Sequence, residues 1–365
     1  MKMFERIQVD LGERSYAIRV GGGVLSELGR ACADLFRGRR TLVVSDENVA
    51  AHYLDATVKN LEAAGFLVSS IVLPAGEATK SVEYLAQVWE AAVAAKLDRK
   101  SFLVALGGGV IGDLAGFAAA TYLRGIPFVQ VPTSLLAMVD SAVGGKTGMN
   151  LPQGKNLVGA FHQPALVLAD LSVLDTLPER EFNAGMAEVI KYGIIWDVEM
   201  FEKIEANVGA IRGRDRAQLQ ELVRRSCEIK AEVVRQDERE GGVRALLNYG
   251  HTLGHAIENV GGYGERLHGE AIAIGMVYAS RVSERIKGLD ADATTRQADL
   301  FRAFDLPIDW AGMVWEPLFE AMTVDKKAEN AAPRFVLIES IGKALLPEGV
   351  AEPVLKEVFT GGTTP

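Results

Sequence analysis

Cysteine is nearly absent from this chain. Of 365 residues only Cys32 and Cys227 are cysteines, far apart and without a C-x-x-C partner, which argues against a disulfide framework and against a thiolate metal site. Both are read as reduced, structural residues. Long apolar runs are missing too: no stretch reaches the roughly eighteen uninterrupted apolar residues of a membrane span, and the opening MKMFERIQVDLGERSY lacks the apolar centre of a secretory signal. The expected compartment is the cytoplasm, with no membrane partner. A basic excess is also lacking, since the formal net charge is −9, and a broad nucleic-acid surface would need the opposite balance. Histidine is sparse at five residues, so any pair of histidines at a meaningful spacing carries weight.

The length is enough for two domains with separate cores. Between Arg40 and Asp170 the sequence repeats a strand-then-helix pattern. Apolar runs at 41–46, 69–76, 101–109, 127–134 and 165–170 alternate with helical patterns at 48–64, 81–95 and 110–122. Such alternation predicts a largely parallel, Rossmann-like sheet covered by helices, with ligands at the carboxyl ends of its strands. The runs RIQVDLG and YAIRVGGG predict a hairpin added to that sheet. Beyond LDTLP the pattern becomes helical, over 179–206, 215–240, 250–260, 268–287 and 292–304. The expected division is an α/β domain over 1–178 and a mostly α-helical domain over 179–365, with the active site in the cleft between them. The tail GGTTP reads as disordered.

The stretch LGGGVIGDLAGFAAA follows a strand and opens a helix, and Gly107, Gly109 and Gly112 satisfy G-x-G-x-x-G. Glycines there let a backbone approach a pyrophosphate at a helix N-terminus, where free N–H groups and the helix dipole favour anions. The same glycines also suit a tight strand-to-helix turn. No acidic residue ends a strand about twenty residues later, as the usual dinucleotide fingerprint requires. Asp46 instead closes an earlier strand, where it either accepts from a ribose hydroxyl, favouring NAD over NADP, or caps a helix.

In LNYGHTLGHAIE, His251 and His255 stand one helical turn apart, with Glu258 three residues on. His268 opens the next helical pattern, and Glu188 sits in the apolar helix NAGMAEVIKYG, where an unpaired carboxylate is costly. Two histidines and a glutamate make an open catalytic zinc site. Spacing nominates His251 and His255 as the pair, but it does not decide which two of the three histidines bind. His52 reads as a surface residue and His162 as a loop or wall residue. Cations gather around these motifs despite the acidic balance: Lys146, Lys155, Lys191, Lys230, Arg244, Lys326 and Lys327. Their clustering predicts a pocket for phosphate and carboxylate groups.

At this point the sequence resembles the 3-dehydroquinate synthases. The matching segments are PAGEATKS, GGGVIGDLAGFAAATYLRGIPFVQVPTSLLAMVDSAVGGKTGMN, GKNLVGAFHQP, NAGMAEVIKYG, LNYGHTLGHAIE, LHGEAIAIGM and DKK, in the family's order from residue 74 to 327. The resemblance implies a two-domain enzyme, usually a homodimer, that uses NAD and one divalent metal, zinc or cobalt. It implies conversion of 3-deoxy-D-arabino-heptulosonate 7-phosphate to 3-dehydroquinate and phosphate, through transient oxidation, phosphate β-elimination, re-reduction, ring opening and an intramolecular aldol closure. Carried over by motif, Glu188, His251 and His268 are implied as the metal ligands, which releases His255 to act on the substrate and corrects the pair that spacing nominates. NAD contacts are implied for Asp46, Asn48, Glu77 and Lys80, for Gly108, Gly109, Val110, Ile111, Gly112 and Asp113, and for Thr133, Ser134 and Thr176. Lys146 and Lys155 are implied to border both ligands. Substrate contacts are implied for Arg124, Asp140, Lys146, Asn156 and Lys191, then for Lys230, Arg244, Asn248, His255 and one of Lys326 and Lys327.

Three other readings compete. A different sugar-phosphate cyclase, such as a 2-epi-5-epi-valiolone or 2-deoxy-scyllo-inosose synthase, would share fold, NAD and metal, but Asn248 and the Lys326–Lys327 pair suit a carboxylate-bearing substrate better. A metal-dependent polyol or glycerol-1-phosphate dehydrogenase would show net reduction of NAD. A regulatory module without chemistry is disfavoured by the intact set of Glu188, His251, His268, Lys230 and His255.

Overall fold

The computed structural model describes residues 4–261, 266–323 and 332–361. Lys326, Lys327 and the last four residues of the GGTTP tail lie outside the described residues. The chain packs as two compact units, 1–177 with 216–235, and 178–215 with 236–365. A single boundary at 178 therefore does not describe the packing, because the segment 216–235 returns to the first unit.

The first unit is built on a seven-stranded sheet: β1 (Glu5–Val9), β2 (Tyr16–Gly21), β3 (Arg40–Asp46), β4 (Leu67–Leu73), β5 (Phe102–Gly107), β6 (Phe128–Pro132) and β9 (Leu166–Asp170), in the order β1-β2-β9-β6-β5-β3-β4. β1 and β2 form the expected antiparallel hairpin, and every other pairing is parallel. All residues of β5, β6 and β9 are buried. Strands covered on both faces read as continuous apolar runs, which is why they are visible in the sequence. One face packs on α1 (Leu28–Leu35) and α2 (Glu47–Ala63), the other on α3 (Val82–Ala94) and α4 (Gly109–Thr121). The chain leaves β3 for β4 on one side and β5 lies on the other, so the order reverses between β3 and β5. Such a switch point opens a crevice at the strands' carboxyl ends.

A second hairpin, β7 (Lys146–Leu151) with β8 (Gly154–Phe161), was not legible in the sequence. Its residues GGKTGMNLPQGKNLVG are rich in glycine and lysine and show no strict apolar alternation.

The second unit contains α5 (Glu179–Ile195), α6 (Val198–Ala206) and α7 (Val208–Arg212), followed in the chain by α8 (Arg216–Gln236), which packs mainly with the first unit. It continues with α9 (His251–Val260), α10 (His268–Lys287), α11 (Ala291–Ala303), α12 (Trp315–Thr323), the hairpin β10 (Arg334–Ser340) and β11 (Lys343–Gly349), and α13 (Glu352–Gly361). The helix expected over 179–206 is two helices, because Asp197 leaves helical geometry and its side chain caps the next helix at the Met200 N–H.

Three helices approach unusually closely. A Cβ on Gly269 of α10 would overlap the Ala184 carbonyl of α5, and one on Gly275 would overlap the Gly250 carbonyl at the start of α9. Only glycine permits backbones at that separation. Arg180 also grips Glu270 in a two-bond fork, at 2.6 and 2.8 Å, which ties the first turn of α5 to that of α10.

Both cysteines are buried, Cys32 against the sheet and Cys227 with its Sγ donating to the Met138 carbonyl. Burial pushes each thiol up to about 12, and the thiolate is the reactive form. Neither is expected to react with iodoacetamide in the folded protein at mildly alkaline pH, whereas both should react after unfolding; mass spectrometry of the alkylated chain reads this directly. Replacement of Gly275 by alanine should lower the unfolding free energy by about 3 kcal/mol, measured by denaturant titration.

Candidate active site

The second unit holds a cluster built from α5, α9 and α10. From Phe182 to Ile195 every residue of α5 is buried, and this all-round burial includes Glu188 at 0 % exposure and Lys191 at 1 %. The two stand three residues apart on one helical face and form an ion pair through the Lys191 Nζ and Glu188 Oε2. The other carboxylate oxygen, Oε1, faces two imidazoles, with His251 Nε2 at 3.4 Å and His268 Nε2 at 3.5 Å. His255 completes a group of three histidines whose ligand atoms lie within 4.8 Å of one another.

The outer nitrogens of two of these rings settle their tautomers. His251 Nδ1 lies 3.1 Å from the Tyr249 carbonyl oxygen, which only accepts, so that nitrogen must carry the proton. His268 Nδ1 lies 3.1 Å from Glu258 Oε2, another acceptor. In its neutral form each ring therefore turns the lone pair of Nε2 toward Glu188. Both Glu188 oxygens are buried; Oε2 is held by the Lys191 ion pair, while Oε1 has no donor in hydrogen-bonding geometry among the described residues. Two imidazole lone pairs and a carboxylate oxygen facing one another repel unless a cation lies among them. Either a proton or a metal ion meets that need, and two imidazole nitrogens with one carboxylate are a fitting donor set for a divalent metal.

The titration behaviour has the same origin. Burial opposes a charge on Glu188, but the Lys191 ammonium and then the two imidazoles outweigh it and hold the carboxyl well below the usual range. Burial and the Lys191 charge hold His251 below its ordinary value. Burial also works against a charge on His268, yet its contacts with Glu188 and Glu258 prevail and push it up to about 9.

Elsewhere in the second unit Arg244 is buried, with its Nη1 donating to the Glu238 carbonyl at 2.5 Å and its backbone N–H to Asp237 Oδ2 at 3.1 Å. Asn248 Nδ2 donates to Glu240 Oε1 at 3.0 Å.

In the first unit, the residues implied to contact NAD fall at the carboxyl ends of parallel strands: Asp46 after β3, Glu77 and Lys80 after β4, Gly108 to Asp113 after β5, Thr133 and Ser134 after β6, Thr176 after β9. Asp46 is the N-cap of α2, with Oδ1 accepting from the Asn48 and Val49 N–H groups at 3.0 and 3.2 Å. Both hydrogen bonds fall on one oxygen, so capping and a second acceptor role are compatible. A Cβ on Gly108 would sit 3.6 Å from Ser134 Oγ, and one on Gly112 2.8 Å from Gln130 Oε1. The glycine turn therefore packs close to β6 and the residues that follow it. Thr176 Oγ1 and the Tyr53 hydroxyl lie 2.6 Å apart.

Lys80 Nζ bridges Asp113 Oδ2 and Asn156 Oδ1, each at 2.5 Å. Lys230, from α8, donates to the backbone and carboxylate oxygens of Asp140 at 2.6 and 2.5 Å. Arg124 is exposed in a turn where Leu123, Arg124 and Gly125 have φ of 50°, 67° and 118°. Lys146 is exposed at the start of β7, and Lys155 is half-buried on β8. His162 Nε2 meets the Ile126 carbonyl at 2.9 Å and its ring stacks on Phe128, while His52 is exposed.

Sequence reasoning gave no role to Glu258 or Tyr249, the partners of the outer imidazole nitrogens, nor to Asn150, which binds Glu77 and Asn156. A carboxylate at Glu258 on an apolar helical face was a visible signal; Tyr249 acts through its backbone and Asn150 from an unread hairpin, and neither left one.

Family comparisons agree across most of the chain. Residues 70–184 match the model described as 3-dehydroquinate synthase N-terminal, and residues 185–328 the one described as 3-dehydroquinate synthase C-terminal. A 3-dehydroquinate synthase of Geobacter metallireducens is 51 % identical over 93 % of this chain and 94 % of its own. Among solved structures, a 2-deoxy-scyllo-inosose synthase complexed with carbaglucose-6-phosphate, NAD+ and Co2+ has a TM-score of 0.89 at 28 % identity, covering 98 % of this chain and 100 % of its own. The 2-epi-5-epi-valiolone synthase of Streptomyces hygroscopicus, with NAD+ and Zn2+ bound, has a TM-score of 0.88 at 28 % identity, covering 96 % and 98 %. With two family models that together span residues 70–328 and a relative at half identity over nearly its whole length, the chain belongs to the 3-dehydroquinate synthase family.

Proposed function

We propose that this chain converts 3-deoxy-D-arabino-heptulosonate 7-phosphate to 3-dehydroquinate and phosphate, a carbon–oxygen lyase reaction dependent on NAD and one divalent metal, zinc or cobalt. The observation that carries the metal-dependent part is the convergence of the Nε2 atoms of His251 and His268 on the buried Glu188 carboxylate. The choice among sugar-phosphate cyclases rests on sequence: 51 % identity to a 3-dehydroquinate synthase against 28 % to the other two cyclases. Asn248 and the Lys326–Lys327 pair are consistent with a carboxylate-bearing substrate. The working form is proposed to be a homodimer.

When bound, NAD supplies a transient hydride acceptor and the metal a Lewis acid for neighbouring substrate hydroxyls. Glu188, His251 and His268 are proposed to hold the metal, with Tyr249 and Glu258 fixing the two rings through their outer nitrogens. NAD is proposed to rest on Asp46, Asn48, Glu77, Lys80, Gly108 to Asp113, Thr133, Ser134 and Thr176, with Lys146 and Lys155 beside it. Arg124, Lys146, Asn156 and Arg244 are proposed to bind the substrate's anionic groups, so that the flexible chain closes on itself and does not diffuse away. Asn248 and one of Lys326 and Lys327 are proposed to help anchor the carboxylate. Lys191, Lys230 and His255 are the groups proposed to exchange protons or hydrogen bonds with reacting oxygens, and Asp140 orients the Lys230 ammonium.

Phosphate release from the heptulosonate phosphate, with the carbon product identified by mass spectrometry, tests the reading. Phosphate and dehydroquinate should form together, cease on chelation and return with added zinc or cobalt. No turnover by folded protein replete in metal and NAD would overturn it and send the assay to the other cyclase substrates.

His251→Ala should abolish metal retention, whereas His255→Ala should retain metal and lose turnover; metal analysis of both purified variants reads this, and loss in both would favour the pair nominated by spacing. Glu258→Leu, which removes the acceptor at His268 Nδ1, should weaken metal binding by about 10- to 100-fold while the chain remains folded, as followed by competition with a chromogenic chelator and by circular dichroism.

A further inference from the structure

Three of the residues proposed above for the cofactor and substrate, Glu77, Lys80 and Asn156, are hydrogen-bonded to one that has been assigned no role. Asn150 stands opposite an irregularity in the second hairpin. Met149 pairs with Val158 and Leu151 with Gly154, so that Lys155, Asn156 and Leu157 on β8 face Asn150 alone on β7. Such a bulge leaves backbone groups unpaired and re-aims side chains. The Asn150 side chain supplies the missing partner, because its Oδ1 accepts from the Asn156 N–H at 2.9 Å. Asn156 is left-handed there, at φ 55°, a conformation that asparagine tolerates better than most residues.

On its other side, Asn150 Nδ2 donates to Glu77 Oε1 at 2.7 Å. The Asn150 backbone N–H donates to the Lys80 carbonyl oxygen, also at 2.7 Å, a main-chain bond that does not depend on the side chain. The Lys80 ammonium then reaches Asn156 Oδ1 and Asp113 Oδ2. One amide thus links Glu77 to Asn156, and through Asn156 to the Lys80 ammonium, which also holds Asp113 in the first turns of α4.

We infer that Asn150 is a positioning residue for the cofactor site: its side-chain amide fixes Glu77 and the bulge at Asn156, and through Asn156 it holds the Lys80 ammonium in its binding position. The inference rests on the proposed placement of Glu77, Lys80, Asp113 and Asn156 around NAD. Both side-chain bonds of Asn150 are lost in Asn150→Ala, while its main-chain bond to Lys80 is kept. The side chains that contact the ligand then remain present but are no longer held in one arrangement, and affinity falls because ordering them becomes part of binding.

Calorimetric titration of NAD into the full chain tests this, with wild type, Asn150→Ala, Lys80→Ala and the double variant compared. Asn150→Ala should raise the Kd for NAD about tenfold while leaving the number of sites per chain and the metal content unchanged. In the Lys80→Ala background the same substitution should raise the Kd by a smaller factor than it does alone, because part of its effect runs through Lys80 and the rest through Glu77. Asn150→Asp, which keeps the bond to Asn156 but sets a carboxylate against Glu77, should also raise the Kd, and it serves as the second variant where Asn150→Ala does not fold. An unchanged Kd in the asparagine variants, with Lys80→Ala weakened, would overturn the inference and leave the cofactor site standing. Fewer sites at an unchanged Kd would assign Asn150 a purely structural role, and full additivity in the double variant would remove the route through Lys80. An unchanged Kd in Lys80→Ala itself would instead overturn the placement of Lys80 in the NAD site, and the inference with it.

Discussion

A carboxylate with no access to water is the constraint around which the second unit is arranged. Glu188 is fully buried on a helix whose neighbouring residues are also buried. An ion taken out of water is destabilising by several kcal/mol unless partners replace its hydration. The Lys191 ammonium is one such partner, and the two imidazoles are conditional ones: they help only when a proton or a metal ion lies between their lone pairs and the carboxylate. The folded chain therefore carries an electrostatic demand that a cation relieves, which is the physical ground for proposing a metal there. The glycine contacts at 269 and 275 follow from the same demand, since side chains as short as glutamate and histidine meet only if their helices come close.

The first unit solves a different problem with different means. Its parallel strands deliver Asp46, the glycine turn, Thr133 and Ser134 to one end of the sheet. Backbone N–H groups and short side chains suffice to receive an anionic ligand at a helix N-terminus. Lysine enters as Lys80, which is buried and restrained by Asp113 and Asn156. Lys230 belongs to this unit as well, although it lies among helical residues in sequence. Apolar α8 positions such as Leu222, Val223 and Ile229 are buried, and that burial fixes the face from which Lys230 reaches Asp140.

Much of this arrangement could be read before any coordinates. Apolar runs with glycine turns gave the parallel sheet, because strands covered on both faces leave a nearly uninterrupted apolar signature. The hairpin β7–β8 escaped because its strands carry lysine, glycine and asparagine around a bulge, and no period of two survives in them. The break at Trp196–Asp197 escaped because apolar residues continue on both sides of a cap. The return of α8 to the first unit escaped because helical periodicity tells which face is buried and not against what. Within the site, residue types and motif resemblance identified Glu188 and the three histidines, whereas the groups that orient them were less visible: Tyr249 acts through a carbonyl that every residue possesses.

The histidine spacing shows how much the orientation of a ring depends on geometry one step further out. His251 and His255 share a helical face, and on that basis they make a plausible pair. A neutral imidazole, however, offers one lone pair only, and its direction is set by whatever holds the other nitrogen. Tyr249 and Glu258 hold the outer nitrogens of His251 and His268, so those two rings turn their lone pairs to Glu188 from two different helices. His255 is exposed on α9, and it is the Nε2 atoms of His251 and His268 that face the Glu188 carboxylate. A buried Lys191 beside the carboxylate adds a further consequence. It offsets the negative charge of Glu188, so a divalent ion, if held there as proposed, would keep most of its own charge and could polarise a bound hydroxyl more strongly.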